Sequence, residues 1–190
     1  MAEGWDARRD RSLFEEAWLR RACEGLRAGA PVLDLGCGAG EPIAAWIRAQ
    51  GHALTGADAS AAMLNMARAR MPDATWLRCD MREMELGRTF DAVIAWDSLF
   101  HLSPDDQRRT LRRIADHLAP GGALLTTVGP RAGEAVGRVG PKGGERPVYH
   151  ASLSLADYAR TLDRAGVEIR AFVAEDPGCG GHSVLMARRR

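Results

Sequence analysis

Three carboxylates at regular intervals, Asp34, Asp58 and Asp80, are the side chains best placed to do chemistry in this chain. The first lies in Val32-Leu33-Asp34-Leu35-Gly36-Cys37-Gly38-Ala39-Gly40, an apolar run with one acid that breaks into three glycines at alternating positions. Such a run reads as a buried strand entering a loop whose main chain approaches a ligand, because glycine tolerates positive φ and has no side chain in the way. Glu41-Pro42 then opens a helix with proline at its first position. Strand, glycine turn and helix in that order suggest a nucleotide-type ligand.

Charge selects among such ligands. A dinucleotide fingerprint, G-x-G-x-x-G, requires a third glycine where this chain has Glu41. Asp34 and Glu41 flank the place a pyrophosphate would occupy, and like charges at that range repel by several kcal/mol when desolvated. A cationic, phosphate-free ligand reverses the sign, and S-adenosylmethionine, a sulfonium with an ammonium, is one. Asp58, in Thr55-Gly56-Ala57-Asp58-Ala59-Ser60, ends a second apolar run about twenty residues past the loop, where a carboxylate accepts both ribose hydroxyls. NAD and S-adenosylmethionine share that contact, so Asp58 does not discriminate. Asp80, in Cys79-Asp80-Met81, follows a third run, placed to accept from an adenine amino group while Met81 packs on the ring.

The elements that position these residues follow from periodicity. Phe14, Ala17, Trp18, Ala22 and Leu26 outline a leading helix; strands are expected at 32–35, 53–57, 75–78, 90–95 and 123–128, and helices at 42–50, at 60–70 with Ser60 as cap, and from Ser103 to Pro120. A helix capped by Ser154 and two strands, 167–174 and 183–187, close the chain. Strict alternation implies one mostly parallel sheet with helices on both faces. Residues 129–147, rich in glycine and proline and without periodicity, read as a structureless lid or acceptor loop at the ligand-binding edge of the sheet. Trp46 and Trp76 read as core. The 190 residues, 46% hydrophobic and 27% charged, fit a single domain, 1–190, with residues 1–12 a mobile N-terminal segment whose Trp5 could cover the site. The formal net charge of +1 gives no field for nucleic acid, and the only basic run is the terminal Arg188-Arg189-Arg190. Cys23, Cys37, Cys79 and Cys179 lack metal or disulfide spacing, and no run approaches a membrane span, so a cytoplasmic protein without a metal is expected.

Taken together, the glycine loop with Asp34, Gly56-Ala57-Asp58-Ala59-Ser60, Cys79-Asp80-Met81, Phe90-Asp91-Ala92-Val93-Ile94 and Leu118-Ala119-Pro120-Gly121-Gly122 resemble the class I S-adenosylmethionine-dependent methyltransferases, over about Leu13 to Ala187. The resemblance implies a Rossmann-like, doubly wound sheet of seven strands with the last antiparallel. It also implies S-adenosyl-L-methionine as cofactor, S-adenosyl-L-homocysteine as product and a small-molecule methyl acceptor. Mapped onto this chain, Asp34, Gly36, Cys37, Gly38 and Gly40 hold the methionyl part, with the Cys37 side chain read as packing; Asp58 and Ala59 hold the ribose, and Asp80 and Met81 the adenine. Ala95 and Trp96 line the methionyl side. A non-catalytic S-adenosylmethionine-binding module and a nicotinamide-dependent dehydrogenase are the rival readings.

The acceptor side rests on Trp96-Asp97-Ser98-Leu99-Phe100-His101-Leu102, which follows the fourth strand, where this fold presents residues to the transferred methyl. Asp97, as an orienting carboxylate, and His101, as a base suited to neutral pH, are the catalytic candidates. Tyr149 and His150 are the substrate-binding candidates, and His182 reads as a turn residue. No Asn-Pro-Pro-Tyr element follows the fourth strand, so a small acceptor is favoured by exclusion.

Overall fold

The computed structural model describes Gly4, residues 6–139 and residues 146–190. Trp5 and the 140–145 part of the glycine-rich segment lie outside the described residues. Among the described residues the order is α1 (Glu16–Ala22), β1 (Pro31–Leu35), α2 (Ile43–Ala49), β2 (Ala53–Asp58), α3 (Ala61–Arg70), β3 (Thr75–Arg78), β4 (Phe90–Ala95), α4 (Pro104–His117), β5 (Leu118–Val128), β6 (Gly133–Val139), β7 (Arg146–Ser152), α5 (Leu155–Asp163), β8 (Val167–Asp176) and β9 (His182–Arg189). Single 3₁₀ turns stand at Met81–Glu83, Leu99–His101 and Pro177–Cys179.

Seven strands form one sheet in the order β3-β2-β1-β4-β5-β9-β8. Neighbours from β3 to β5 are parallel, while β9 runs antiparallel to both β5 and β8. This is the doubly wound sheet with its last strand reversed that the sequence predicts. Alternation along each strand builds the two layers. Val32, Ile94, Leu125 and Val184 face Trp18, Leu19, Ile47 and Leu64 of α1 to α3. Their neighbours Leu33, Val93, Leu124 and Leu185 face Leu111, Ile114, Tyr158 and Leu162 of α4 and α5. Asp34 continues the Val32 face, so the one acid of β1 enters the layer beneath α1.

Serine caps fix three helix starts: the Ser60, Ser103 and Ser154 hydroxyls accept from the amides of Met63, Asp106 and Asp157. Two expectations are corrected. The fourth helix ends at His117 rather than Pro120, because Leu118 already pairs with Phe90; Pro120-Gly121-Gly122 then form the irregularity after which Ala92 pairs with Ala123. The 129–147 segment is not structureless: β6 and β7 make an antiparallel hairpin in register from Gly133 opposite Ser152 to Val139 opposite Arg146. Its pattern escapes a hydrophobic search because Glu134, Arg138, Arg146 and Pro147 interrupt the apolar alternation. At its base the Gly129 amide donates to Ser152 Oγ (3.1 Å) and Gln107 Nε2 donates to the Ala151 carbonyl (2.8 Å). Tyr158, fully buried, donates its hydroxyl to Gln107 Oε1 (2.8 Å), so α4 and α5 together hold the hairpin. No helix among the described residues is long and apolar enough to cross a membrane.

Trp46 and Trp76 are core residues, and Trp76 shapes the site from behind. Its indole N–H donates to the Met71 carbonyl (3.0 Å), which fixes the ring flat against Gly56 of β2. A Cβ at Gly56 would lie 2.2 Å from Trp76 Cζ3. Gly56→Ala is therefore expected to lower the unfolding free energy by about 3 kcal/mol through overpacking, read as a fall in the urea midpoint at unchanged slope.

Candidate active site

The glycine loop joins β1 to α2 at the carboxyl edge of the sheet, and its conformation spends its own donors. Gly36, Gly38 and Gly40 take φ of 80°, 52° and 86°, a region closed to most side chains. The amides of Gly36 and Cys37 both donate to the Ala57 carbonyl (2.7 and 3.1 Å), Gly38 donates to Asp58 Oδ2 (2.9 Å) and Gly40 to the Cys37 carbonyl (3.0 Å). A phosphate cradle needs free N–H groups, and four of the loop's amides are consumed. The loop offers a ligand acceptors instead.

Asp34 strengthens that polarity. It is 3% exposed, and no protein donor among the described residues reaches its carboxylate; burial pushes its pKa up to about 7, and the Asp58 charge adds to the effect. Glu41, by contrast, is matched by Arg11 Nε at 2.9 Å and Arg70 at 3.6 Å. The sequence argument from two flanking acids therefore reduces to Asp34 alone. The surrounding pocket is lined by Asp6, Arg9, Asp34, the loop from Gly36 to Ala39, Glu41, Ile43, Trp96 and Asp97.

The remaining cofactor candidates fall at different distances from this pocket. Asp58 anchors the loop through Gly38 and its own turn through the Ser60 amide (2.7 Å), so two of its four lone-pair sites are used and two remain. Ala59 beside it is exposed. Asp80 caps the Met81–Glu83 turn and is forked by Arg82, which holds its carboxyl below the usual range. Met81 Cε reaches to 3.5 Å from where a Gly36 Cβ would stand. The Cys37 side chain is buried, as a packing residue is, with its thiol pushed up by burial. Two candidates face elsewhere: Ala95 is buried in the layer under α4, and a Cβ on Gly40 would strike Met71 and Trp76.

Asp97 and His101, four residues apart, go to separate places. Asp97 takes φ of 48°, its amide donating to Thr127 Oγ1 (2.8 Å), and lines the pocket. Arg9 donates to its Oδ2 (3.2 Å) and to Glu15 (2.8 Å), a carboxylate with no exposure whose pKa burial raises. His182 Nε2 sits 3.1 Å from Asp97 Oδ1, off the axis of a good hydrogen bond. His101 turns toward the hairpin, where its Nδ1 lies 3.1 Å from the Tyr149 carbonyl and its ring 4.9 Å from that of His150. His150 is lowered by burial and by His101, while the Tyr149 hydroxyl donates to Glu134 (2.6 Å), which pushes it up to about 12.

The sequence profile of the methyltransferase domain matches residues 32–122, from β1 through the β5 irregularity, and so covers the glycine loop and all three strand-end acids. That segment, just under half of the chain, is similar to methyltransferase domains, and the chain spans only about 40 to 60% of the length of the curated relatives it matches. It is 35% identical over 96 residues, half of this chain, to dTDP-3-amino-3,4,6-trideoxy-alpha-D-glucopyranose N,N-dimethyltransferase of Streptomyces venezuelae, of which the match covers 40%. It is 33% identical over 151 residues, 74% of this chain, to the cypemycin N-terminal methyltransferase of a Streptomyces species, of which 58% is covered. In architecture it matches a solved amino pentose methyltransferase from Micromonospora echinaspora with a TM-score of 0.77 at 21% identity, over 100% of this chain and 95% of that one.

The sequence pattern does not reveal Asp6, Arg9, Glu15 and His182. The first three lie in a polar segment with no motif spacing, and His182 follows two glycines that read as a plain turn. Only the tertiary structure brings both chain ends to Asp97.

Raising Asp34 from 3.8 to about 7 means that ionising it in the folded protein costs on the order of 4 kcal/mol. An acid shifted upward by folding loses stability as pH rises from its unfolded value to its folded one, after which the loss is constant. Asp34→Asn is therefore expected to gain about 2 to 4 kcal/mol of unfolding free energy at about pH 8 and little at about pH 4, measured by urea unfolding without ligand.

Proposed function

We propose that this protein transfers a methyl group from S-adenosyl-L-methionine to a small-molecule acceptor by in-line displacement, with S-adenosyl-L-homocysteine as product. The observation that carries the reading is Asp34: a buried carboxylate that no donor among the described residues reaches, beside a loop that spends four of its amides within the protein. That site suits a cation and disfavours a phosphate, which also weighs against a nicotinamide cofactor. When bound, S-adenosylmethionine supplies an electrophilic methyl on a sulfonium. Asp34 and the carbonyls of Gly36, Cys37 and Gly38 receive the methionyl part. Asp58 uses its two remaining lone-pair sites for the ribose hydroxyls, next to Ala59, and Asp80 with Met81 takes the adenine. Trp96 closes the floor at the end of β4.

The protein's own contribution to displacement is positioning and exclusion of water. Only an acceptor that arrives protonated needs a base, and His101 has the right fixation for one. With Nδ1–H donated to the Tyr149 carbonyl, its lone pair is confined to Nε2. The β6–β7 hairpin, with Tyr149 and His150, forms the acceptor side. Relatives such as the dTDP-amino-sugar N,N-dimethyltransferase of Streptomyces venezuelae make amines the first acceptor class to screen. The four unpaired cysteines fit a cytoplasmic setting.

Calorimetry tests the cofactor assignment. Because the Asp34 proton must leave before a cation binds, affinity for S-adenosylmethionine is expected to fall roughly tenfold per unit as pH drops below about 7, with protons released into the buffer. Binding of NAD in place of S-adenosylmethionine and S-adenosylhomocysteine would sink the reading. For the base, His101→Ala is expected to lower turnover by about 100-fold with affinity for S-adenosylhomocysteine unchanged. Full turnover in that variant removes His101 from the mechanism.

A further inference from the structure

One edge of β7 is laid along the turn that carries His101. Carbonyls two residues apart on a strand point the same way, and two such carbonyls of β7 meet side-chain donors. The Tyr149 carbonyl faces His101 Nδ1 at 3.1 Å, and the Ala151 carbonyl accepts from Gln107 Nε2 at 2.8 Å. Gln107 Nε2 also donates to the Leu102 carbonyl (3.0 Å), just past the Leu99–His101 turn, while its Oε1 accepts from the buried Tyr158 hydroxyl (2.8 Å). The amide is thereby fixed at both ends and ties the turn to β7. With that register set, the bond between His101 and Tyr149 is the next rung of the same ladder.

His150 completes the contact with its ring. Alternation sends the Tyr149 and His150 side chains to opposite faces of the hairpin. The phenol goes to Glu134, while the His150 ring lies against Gly137 of β6, where a Cβ would stand 3.5 Å from its Cε1 and Nδ1. The same ring meets His101 at 4.9 Å and Phe100 at 5.3 Å between centroids, and Phe100 meets His101 at 4.7 Å. Neither nitrogen of His150 has a hydrogen-bond partner among the described residues, so the ring holds His101 by contact. The titratable group it touches is His101; by alternation Arg146 shares its face of the hairpin, and Glu134 and Arg138 lie on the other. Burial and His101 both hold the pKa of His150 below the ordinary histidine range, so near neutral pH it stays uncharged beside the base.

We propose that His150 and the main chain of Tyr149 are the positioning elements of the base: they fix the His101 ring with its lone pair at Nε2 while β7 is docked on the Leu99–His101 turn. The inference rests on the methyl-transfer reading and deepens it, because the hairpin assigned to the acceptor then also assembles the base. His101 Nε2 takes the proton that the acceptor's O–H, S–H or N–H loses as that atom is methylated. The imidazolium so formed keeps Nδ1–H on the Tyr149 carbonyl, so gaining the proton breaks no contact. Tyr149 acts through its carbonyl, and its phenol is committed to Glu134.

The tautomer of His101 is read by nitrogen NMR of the whole chain with labelled histidines, at about pH 8, where an ordinary histidine is neutral; no acceptor is needed. Loss of signals in His101→Gln assigns the residue. In the wild type the Nδ1–H form is expected to exceed the Nε2–H form by about tenfold, the worth of one carbonyl hydrogen bond. His150→Ala is expected to lower that ratio by about tenfold, whereas His150→Phe, which keeps a flat ring against Gly137, and Tyr149→Phe, which spares the carbonyl, stay within about twofold of the wild type. His150→Leu, which fills the space without a planar ring, gives the same reading if the alanine variant does not fold. The His150 signal should titrate below 6.5 in the wild type and closer to 6.5 in His101→Gln. A wild-type His101 with its proton on Nε2 overturns the proposal, as does a tautomer indifferent to removal of the His150 ring. A His150→Phe that loses the tautomer as fully as His150→Ala overturns it too, because ring contact would then not be what holds His101. Calorimetry of the wild type with S-adenosylhomocysteine tests the underlying reading separately. Absence of binding overturns methyl transfer whatever the tautomer, and a wrong tautomer in a protein that binds it overturns only the positioning of the base.

Discussion

Everything at the ligand edge depends on where the glycine loop sends its amide hydrogens. Directed back to the Ala57 carbonyl and the Asp58 carboxylate, they tie the β1 turn to the end of β2 and leave Asp34 with no donor. The loop gains rigidity, and Asp34 keeps an unmet electrostatic need inside a pocket. Stability and ligand selection thus oppose each other at one side chain, a common cost of a preformed site. Trp76 backs the arrangement, since its ring fills the space against Gly56 and Gly40 that lets β2 lie so close to the loop.

The second layer of organisation is convergence from the chain termini. The segment around Asp6, Arg9 and Arg11 reaches the pocket through ion pairs with Arg70, Asp97, Glu15 and Glu41, and the turn before β9 arrives from the other side with His182. Trp18 ties the two together by donating to Asp176 (2.9 Å). Apart from Arg9–Glu15, whose carboxylate is buried, these are partly exposed pairs, individually worth little in water, and their effect lies in fixing geometry as a network. The pocket is therefore closed by residues that the βα repeat itself does not supply.

That division explains what could be read in advance. The strands at 75–78 and 90–95 and the serine caps are legible because each follows from a local rule, apolar runs and a hydroxyl before a helix, whereas the reversed last strand follows only from the family resemblance. The strand-end acids are legible for the same reason, since sheet topology brings the ends of β1, β2 and β3 to one edge. Arg9, Glu15 and His182 are not, because their roles depend on partners 88, 6 and 85 positions away, which no spacing encodes. The hairpin was hidden by its polar, proline-containing strands, and the early end of α4 by a β5 that starts pairing before its own glycines. Glu41 was legible as a charge and misleading as one, since Arg11 and Arg70 answer it.

The β6–β7 hairpin forms a sheet of its own, entered after β5 and left before α5, and shares no strand pairing with the seven-stranded sheet. The part of the chain assigned to the acceptor in the proposed reading is thus joined to the rest through side-chain and loop contacts and not through the sheet. It can lengthen, shorten or change its side chains while the loop, Asp34 and Asp58 stay as they are. On the proposed reading, drift in this hairpin can change what the protein accepts while the pocket for the donor is left as it is.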